Sequence, residues 1–298
     1  MKVLVYGATG SQQFSVLAAL AHKGAQVYAT TSSEAGVAKL RQAGATAVRA
    51  NMADAARLHE ITQGMDAVSL LIPVSLPSPT DGVQYAKNAI DAARQAGVQL
   101  LVWNTSGFLV PQKTGDPTID GKPEIKAYLA ASGVPHIIIE PSIYAENLLA
   151  PYTVNYTRQA RQVAYPTLEE MPIGWITSHD VGALVAEALY HPELAGQSFR
   201  VSGLENLTGN ALAARFTAGL GEPISYYALP IPEFGDILKT FIPEDAAKGV
   251  AGFYQSMIDN RPFPVLFSDD MPGILAKLPV TMTPIAEWVK QHKTAFLG

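Results

Sequence analysis

Met1-Lys-Val-Leu-Val-Tyr-Gly7-Ala-Thr-Gly10-Ser-Gln-Gln-Phe-Ser-Val-Leu17 opens the chain, and its reading decides how the rest is understood. Val3 to Tyr6 is an apolar run of strand type that ends on Gly7, and Phe14, Leu17, Ala18, Leu20 and Ala21 follow in a helical pattern. Strand, glycine turn and helix in that order gather free backbone N–H groups and the positive end of a helix dipole at one point, which suits a pyrophosphate. Gly7 permits the tight turn, and Gly10 lets a phosphate approach the backbone without a β-carbon in the way. Any tight strand–helix turn can carry Gly-x-x-Gly; its place at the head of a β-α-β pattern is what points to a nucleotide site.

Working outward, short apolar runs alternate with helical patterns over the first half of the chain. The strands are expected at Lys2–Tyr6, Gln26–Thr30, Ala47–Arg49, Ala67–Ile72, Gln99–Asn104 and His136–Glu140. Between them helices are expected at Gln12–His22, Glu34–Ala43, Ala55–Gln63, Val83–Ala96 and Pro123–Ser132. Gly24, Gly44, Gly97 and Gly133 stand where left-handed C-terminal caps belong. Continuous apolar strands between helices require a parallel sheet covered on both faces. The fold class is therefore α/β, a doubly wound parallel Rossmann sheet with a smaller C-terminal α/β lobe.

The second half reads differently. Proline and aromatic residues thicken from Pro151 onward: Tyr152, Tyr156, Tyr165, Pro166, Pro172 and Trp175. The division expected is a dinucleotide-binding domain over residues 1–150 and a smaller substrate or interaction lobe over 151–298. Residues 178–203 return to the first core, through a helix from Val181 to Tyr190 after Ser178-His179-Asp180 and a strand at Ser198–Ser202 that extends the sheet. Thr283 as N-cap and Pro284 at the first helical position start the last helix. Ligands of such sheets bind outside the carboxyl ends of the strands.

Bulk properties remove several classes of function. Of 298 residues 48% are hydrophobic and 16% charged, which leaves little scope for disorder. The net charge is −5 and no run of Lys or Arg occurs, so nucleic acid is not an expected partner. Absent cysteine excludes disulfides, thiol nucleophiles and thiolate-bound zinc. The His residues are scattered with no His-x-x-x-His, so no metal is expected. Gly7, Gly10, Ser11, Gln12 and Gln13 break up what would otherwise be a signal-peptide core, and no apolar run reaches the about 20 residues of a membrane helix. A cytoplasmic protein with no membrane partner is expected.

The end of the second strand normally carries Asp or Glu when the cofactor is NAD. Here Tyr28-Ala-Thr-Thr31-Ser32-Ser33 holds no acid, and the hydroxyls of Thr31, Ser32 and Ser33 can bond a 2′-phosphate. NADP(H) is thus the expected cofactor, with NAD(H) left open because the segment has no Arg. At the end of the fifth strand Val102-Trp-Asn-Thr105-Ser106-Gly107 is followed by Lys122. Ser plus Lys at the mouth of a Rossmann sheet resembles the short-chain dehydrogenase/reductase superfamily. In that superfamily a Tyr four residues before the Lys transfers the proton and the Lys lowers its pKa. Thr118 occupies that place here.

The closer resemblance is to the NmrA-like group of atypical short-chain dehydrogenases. It is carried by Gly7-Ala-Thr-Gly10, by Asp120-Gly-Lys122-Pro-Glu-Ile-Lys-Ala-Tyr-Leu-Ala-Ala-Ser-Gly-Val-Pro135 and by Glu140-Pro-Ser-Ile-Tyr144-Ala-Glu-Asn147. Ser178-His-Asp-Val-Gly182 and Glu205-Asn-Leu-Thr208 are similar to later signposts of the group, so the likeness runs from residue 1 to about 230. It implies that Gly7, Thr9, Gly10, Ser11 and Gln12 hold the pyrophosphate, and that Ile72 and Pro73 flank the cofactor. Thr105, Lys122 and the stretch from Tyr144 to Asn147 would meet its nicotinamide half. Lys87 falls where some relatives direct a Lys to the cofactor.

Two departures stand out. The third glycine position holds Gln13, followed by Phe14, which either crowds helix against strand, replaces a phosphate contact, or marks a site that binds no dinucleotide. Glu140 stands where the group tends to have Arg, either beside a cation such as Lys122 or facing elsewhere. Plainer readings stand beside the functional ones. Lys122 also reads as an exposed first-turn residue, and Ser106 or Thr105 as a strand-end cap. Tyr144, Tyr152 and Tyr156 are spaced to share a helix face and pack between lobes, with Tyr144 the candidate substitute proton donor. His179 and Asp180 read as parts of a helix start.

The resemblance implies one of two functions. The first is an NADPH-dependent reductase of a small apolar carbonyl, quinone or enone, with catalytic Lys122, Ser106 and Tyr144. Trp175, Tyr226, Tyr227, Phe253, Tyr254 and Phe263 would suit a flat apolar substrate or an ordinary core. The second is a catalytically silent NAD(P)(H)-binding redox sensor acting through a regulatory protein partner. A small-molecule substrate is the partner of the first, and a homodimer is open in both.

Overall fold

The chain is described by a computed structural model over residues 1–73, 76, 78, 80–110, 117–260 and 265–298, so Phe263 lies outside the described residues. Strand β1 (Lys2–Val5) runs to Gly7, which takes φ +70° and turns the chain into α1 (Ser11–His22). A β-carbon on Gly7 would stand 2.8 Å from the Leu71 carbonyl oxygen, so the turn is closed against the neighbouring strand and only glycine fits.

Six further strands join β1: β2 (Gln26–Thr31), β3 (Thr46–Arg49), β4 (Ala67–Leu71), β5 (Leu100–Asn104), β6 (His136–Pro141) and, past β7 (Gln162–Tyr165), β8 (Ser198–Val201). All pair in parallel in the order β3-β2-β1-β4-β5-β6-β8. Val3 sits level with Val27 of β2 and Ala67 of β4, and Trp103 of β5 with Ile138 of β6. Every residue of β4 and β5 is buried, which is why these runs are apolar throughout rather than alternating. This is a doubly wound Rossmann sheet, and its strand order reverses between β1 and β4, the place where ligands of such sheets bind.

The first-half helices are α2 (Glu34–Gln42), α3 (Ala55–Thr62), α4 (Asp81–Ala96), α5 (Pro117–Asp120) and α6 (Lys122–Ala131). Then come α7 (Pro151–Ala160) and α8 (Ser178–Ala188). Helix α8 packs on α1, where Ser15 Oγ donates to the Ser178 carbonyl at 2.5 Å, and β8 closes the sheet beside β6. Helix α9 (Gly209–Leu220), β9 (Ser225–Ala228), α10 (Ile231–Leu238), α11 (Glu244–Asp259), α12 (Met271–Lys277), α13 (Ile285–Gln291) and α14 (Lys293–Leu297) complete the chain. Strand β9 pairs in parallel with β7, and an aromatic core gathers around them from Tyr165, Trp175, Phe216, Phe234, Trp288 and Phe296.

Local expectations fail at three places for identifiable reasons. Helix α8 begins at Ser178 rather than Val181, because Thr177 Oγ1 accepts the Asp180 amide at 3.0 Å and caps the helix one turn earlier. Tyr144 does not share a helix face with Tyr152 and Tyr156: it precedes a 3₁₀ turn (Ala145–Leu149), and α7 starts afresh at Pro151. Thr283 does not cap the last long helix. Its hydroxyl and amide both donate to the buried Asp180 carboxylate, at 2.8 and 3.0 Å, and Pro284 takes the cap position. Asp180 thus does more than start α8: it moors the approach to α13.

Candidate functional site

The amino end of α1 lies against the carboxyl end of β1. Gly10 caps it with backbone alone: no side chain bonds the first-turn amides, and no acidic residue stands among them. The Gly10 carbonyl takes the amides of Gln13 and Phe14, while the first-turn N–H groups before them have no intrahelical acceptor. Gly10 and Ser11 are exposed, and Thr9 and Gln12 are partly so. An open helix terminus with a positive dipole end and no carboxylate is chemically suited to an anion.

Gln12 reaches sideways from this turn. Its Oε1 accepts from Ser106 Oγ at 2.5 Å, so the turn after β5 is tied to α1. Ser106 adopts φ 57°, a left-handed conformation uncommon outside glycine, and its amide donates to Asn104 Oδ1 at 2.9 Å. Asn104 Nδ2 in turn donates to the Tyr144 hydroxyl at 3.1 Å. Gln12, Ser106, Asn104 and Tyr144 therefore form one hydrogen-bonded line across α1, β5 and the segment after β6. Thr105 is buried and bonds the carbonyls of Gly107 and Ile139, at 2.6 and 3.2 Å, which is the strand-end role.

Lys122 begins α6 and sends its ammonium to the same turn: a β-carbon built on Gly107 would lie 3.6 Å from Lys122 Nζ. Lys122 is partly buried there. Lys87 is not brought to this group. Its Nζ pairs with Glu124 at 2.7 Å and lies 5.3 Å from the centre of the Tyr128 ring, between α4 and α6. Glu140 is buried and holds the Leu109 amide at 3.3 Å with Lys126 Nζ at 3.5 Å, so it steadies the loop after β5.

Tyr144 is 3% exposed, and burial raises its hydroxyl well above the ordinary phenol range. Its hydroxyl meets the turn through Asn104 and Ser106. Asn147 turns the other way: its Nδ2 donates to the Tyr165 hydroxyl at 3.1 Å, and Tyr165 also bonds the Tyr254 hydroxyl. Tyr152 and Tyr156 pack between segments, Tyr152 edge-on to Phe234 at 5.4 Å and Tyr156 beside Tyr227 at 5.5 Å. Ile72 and Pro73 follow β4 directly, both partly exposed.

At the end of β2 the three hydroxyls part company. Thr31 is buried and accepts from the Ser33 amide at 3.3 Å, and Ser33 caps α2 by accepting from the Gly36 amide at 3.0 Å. Ser32 is exposed. Gln13 points inward: it is fully buried, and its Nε2 donates to Ser69 Oγ on β4 at 2.6 Å. Its side chain packs between α1 and β4.

Two residues that sequence reading does not single out belong to this site. Asn104 is one, and its signal is a lone amide closing an otherwise apolar buried strand. Lys39 is the other. From α2 its Nζ donates to the Thr9 carbonyl at 2.9 Å, a contact that leaves no local trace in the sequence.

The sequence model of the NmrA-like family matches residues 1–288. The chain belongs to the NmrA-like family. Among its relatives, the NAD(P)H azoreductase of Xenophilus azovorans is 27% identical over 304 residues, covering 99% of both chains. The fold is shared with the NADPH-dependent quinone oxidoreductase of Escherichia coli in complex with NADPH, at a TM-score of 0.77 and 22% identity over 97% of this chain and 99% of that one. It is shared equally with NmrA, a negative transcriptional regulator solved in complex with NAD, at 0.76 and 17% over 97% and 94%. The proteins this chain resembles in sequence or fold are thus named both as reductases and as a regulator. Among the described residues no helix is long and apolar enough to cross a membrane.

Proposed function

We propose that the chain is an NADPH-dependent reductase of a small apolar carbonyl, quinone or enone. The observation that carries this reading is the uncapped, carboxylate-free start of α1 at the β1/β4 switch point, with Ser106 and Lys122 gathered beside it. Gly7, Thr9, Gly10, Ser11 and Gln12 would hold the pyrophosphate, and Ile72 and Pro73 would flank the cofactor. When bound, the dinucleotide supplies the hydride.

The protein's own part is orientation and charge. Lys122 would hold the nicotinamide ribose and stabilise negative charge on a substrate oxygen, and Ser106 would polarise that oxygen once its hydroxyl is released from Gln12. No phenol stands four residues before Lys122, and Tyr144 is buried behind Asn104. A quinone tolerates this, because its reduced oxygen is stabilised and takes its proton from water. The full-length azoreductase likeness supports a substrate that is an electron-poor conjugated system.

Titration of the purified chain with NADPH and NADH, followed by a quinone and azo-dye panel, tests the proposal. Binding with turnover that Lys122→Ala abolishes is the expected result. The sensor reading draws on the buried Tyr144 and predicts binding without turnover across the panel. Binding of neither cofactor would sink both.

A further inference from the structure

Lys39 sits in the last turn of α2 and reaches back across the crevice between α2 and the glycine turn. Its Nζ donates to the Thr9 carbonyl at 2.9 Å and stands 4.6 Å from the centre of the Phe14 ring. Both partners are uncharged, and no ion-pair partner is found for Lys39 among the described residues. The carboxylate of the same helix, Glu34, faces Arg49 of β3 at 3.5 Å. An ammonium is thus held over the loop that joins β1 to α1.

We infer that Lys39 receives the phosphate on the adenosine 2′-oxygen and makes this chain select NADP(H) over NAD(H). The inference rests on the dinucleotide reading above. In this fold the adenosine ribose lies at the end of the second strand, where an acid reads a free 2′-hydroxyl and a cation accommodates a 2′-phosphate. The segment there holds neither. Of its three hydroxyls, Thr31 and Ser33 are used by α2 itself, which leaves Ser32 as the open one and supplies no charge. Lys39 supplies it from the next helix.

Phe14 gives this arrangement its seat. With Gln13 turned inward against Ser69, Phe14 stays partly exposed at the edge of the core and offers its ring to the ammonium. A cation over an aromatic face is attracted without being neutralised. Lys39 is therefore preorganised yet keeps its full charge. An arriving phosphate would replace a neutral carbonyl by an anionic oxygen, and such charge-assisted bonds are the stronger kind.

The test compares dissociation constants for NADPH and NADH in the full chain and in Lys39→Met, Lys39→Arg and Phe14→Leu. Lys39→Met is expected to weaken NADPH by about 10- to 100-fold, the range of a hydrogen bond to a charged group, and to change NADH less than about twofold. Lys39→Arg should retain the preference, and Phe14→Leu should lose part of it. Competition by 2′,5′-ADP and by ADP should show the same ratio, which separates the adenosine end from the nicotinamide end. Equal loss of both cofactors, loss of neither, or no preference in the unaltered chain would overturn the assignment. An unaltered chain that binds neither cofactor overturns the dinucleotide reading itself, before any variant is made.

Discussion

Ser106 Oγ donates to Gln12 Oε1 at 2.5 Å, joining the turn after β5 to the first turn of α1. Ser106 holds φ 57° to make this contact. Alanine at 106 would lose the bond and keep the left-handed backbone that serine already bears, a cost of about 0.5–1.5 kcal/mol. Glycine would lose the bond and accept the backbone freely, so Ser106→Gly should stay within about 1 kcal/mol of the unaltered chain. Urea unfolding orders the two variants, and a glycine variant less stable than the alanine one would contradict the strain argument.

Two glycines in helices should respond to alanine with opposite signs. A β-carbon on Gly182 of α8 would lie 2.9 Å from the Ser15 backbone carbonyl carbon in α1, so Gly182→Ala must push the two helices apart and should cost about 1–3 kcal/mol. Nothing lies within 4 Å of the corresponding position on Gly249 of α11. Gly249→Ala should stabilise by about 0.4–1 kcal/mol through the unfolded chain's lost freedom. Denaturant midpoints of the two variants decide it.

Gln13 and Ser69 should show strong non-additivity. Gln13 Nε2 bonds Ser69 Oγ at 2.6 Å in a fully buried setting, while Gln13 Oε1 finds no partner among the described residues. Gln13→Leu alone strands the Ser69 hydroxyl and should cost about 1–3 kcal/mol. Adding Ser69→Ala removes the stranded group and should recover most of that loss. A double variant as unstable as the sum of the singles would mean that packing, not hydrogen bonding, governs the pair.

His191 offers a pH handle remote from the site. Its ring bonds Glu193 at 2.6 Å and Glu187 at 3.1 Å, and the bond to Glu193 is the main cause that raises its pKa above 6.5. A raised histidine binds its proton more tightly when folded, so the added stability is complete below about pH 6.5 and is lost as pH rises through the folded value. Proton NMR should place the His191 midpoint above 6.5 and move it down in Glu193→Gln. A midpoint at or below 6.5 in the unaltered chain would remove the handle.

Much of the fold is legible in the residues because period and burial are local. β4 and β5 are apolar at nearly every position since both faces of a central parallel strand are covered, and Gly97 ends α4 because only a left-handed residue closes that helix. Gly7, Gly10 and the first turn of α1 belong to the same class: strand, turn and helix are contiguous. Most boundaries moved by one or two residues, and the three-residue shift at the start of α8 follows from the cap that Thr177 supplies.

What only the tertiary structure decided is which distant side chains meet. Gln13 faces Ser69 rather than a phosphate, Tyr144 is sealed behind Asn104, Lys87 is taken up by Glu124, and Asp180 holds Thr283. Each such pair joins elements that become neighbours through strand order and helix packing, and a hydrogen bond between residues far apart in the chain leaves no periodic mark. Lys39 is the clearest case. Its bond to Thr9 spans 30 positions and exists because α2 folds back beside the glycine turn, so a charge from the second helix is set over the first loop in space.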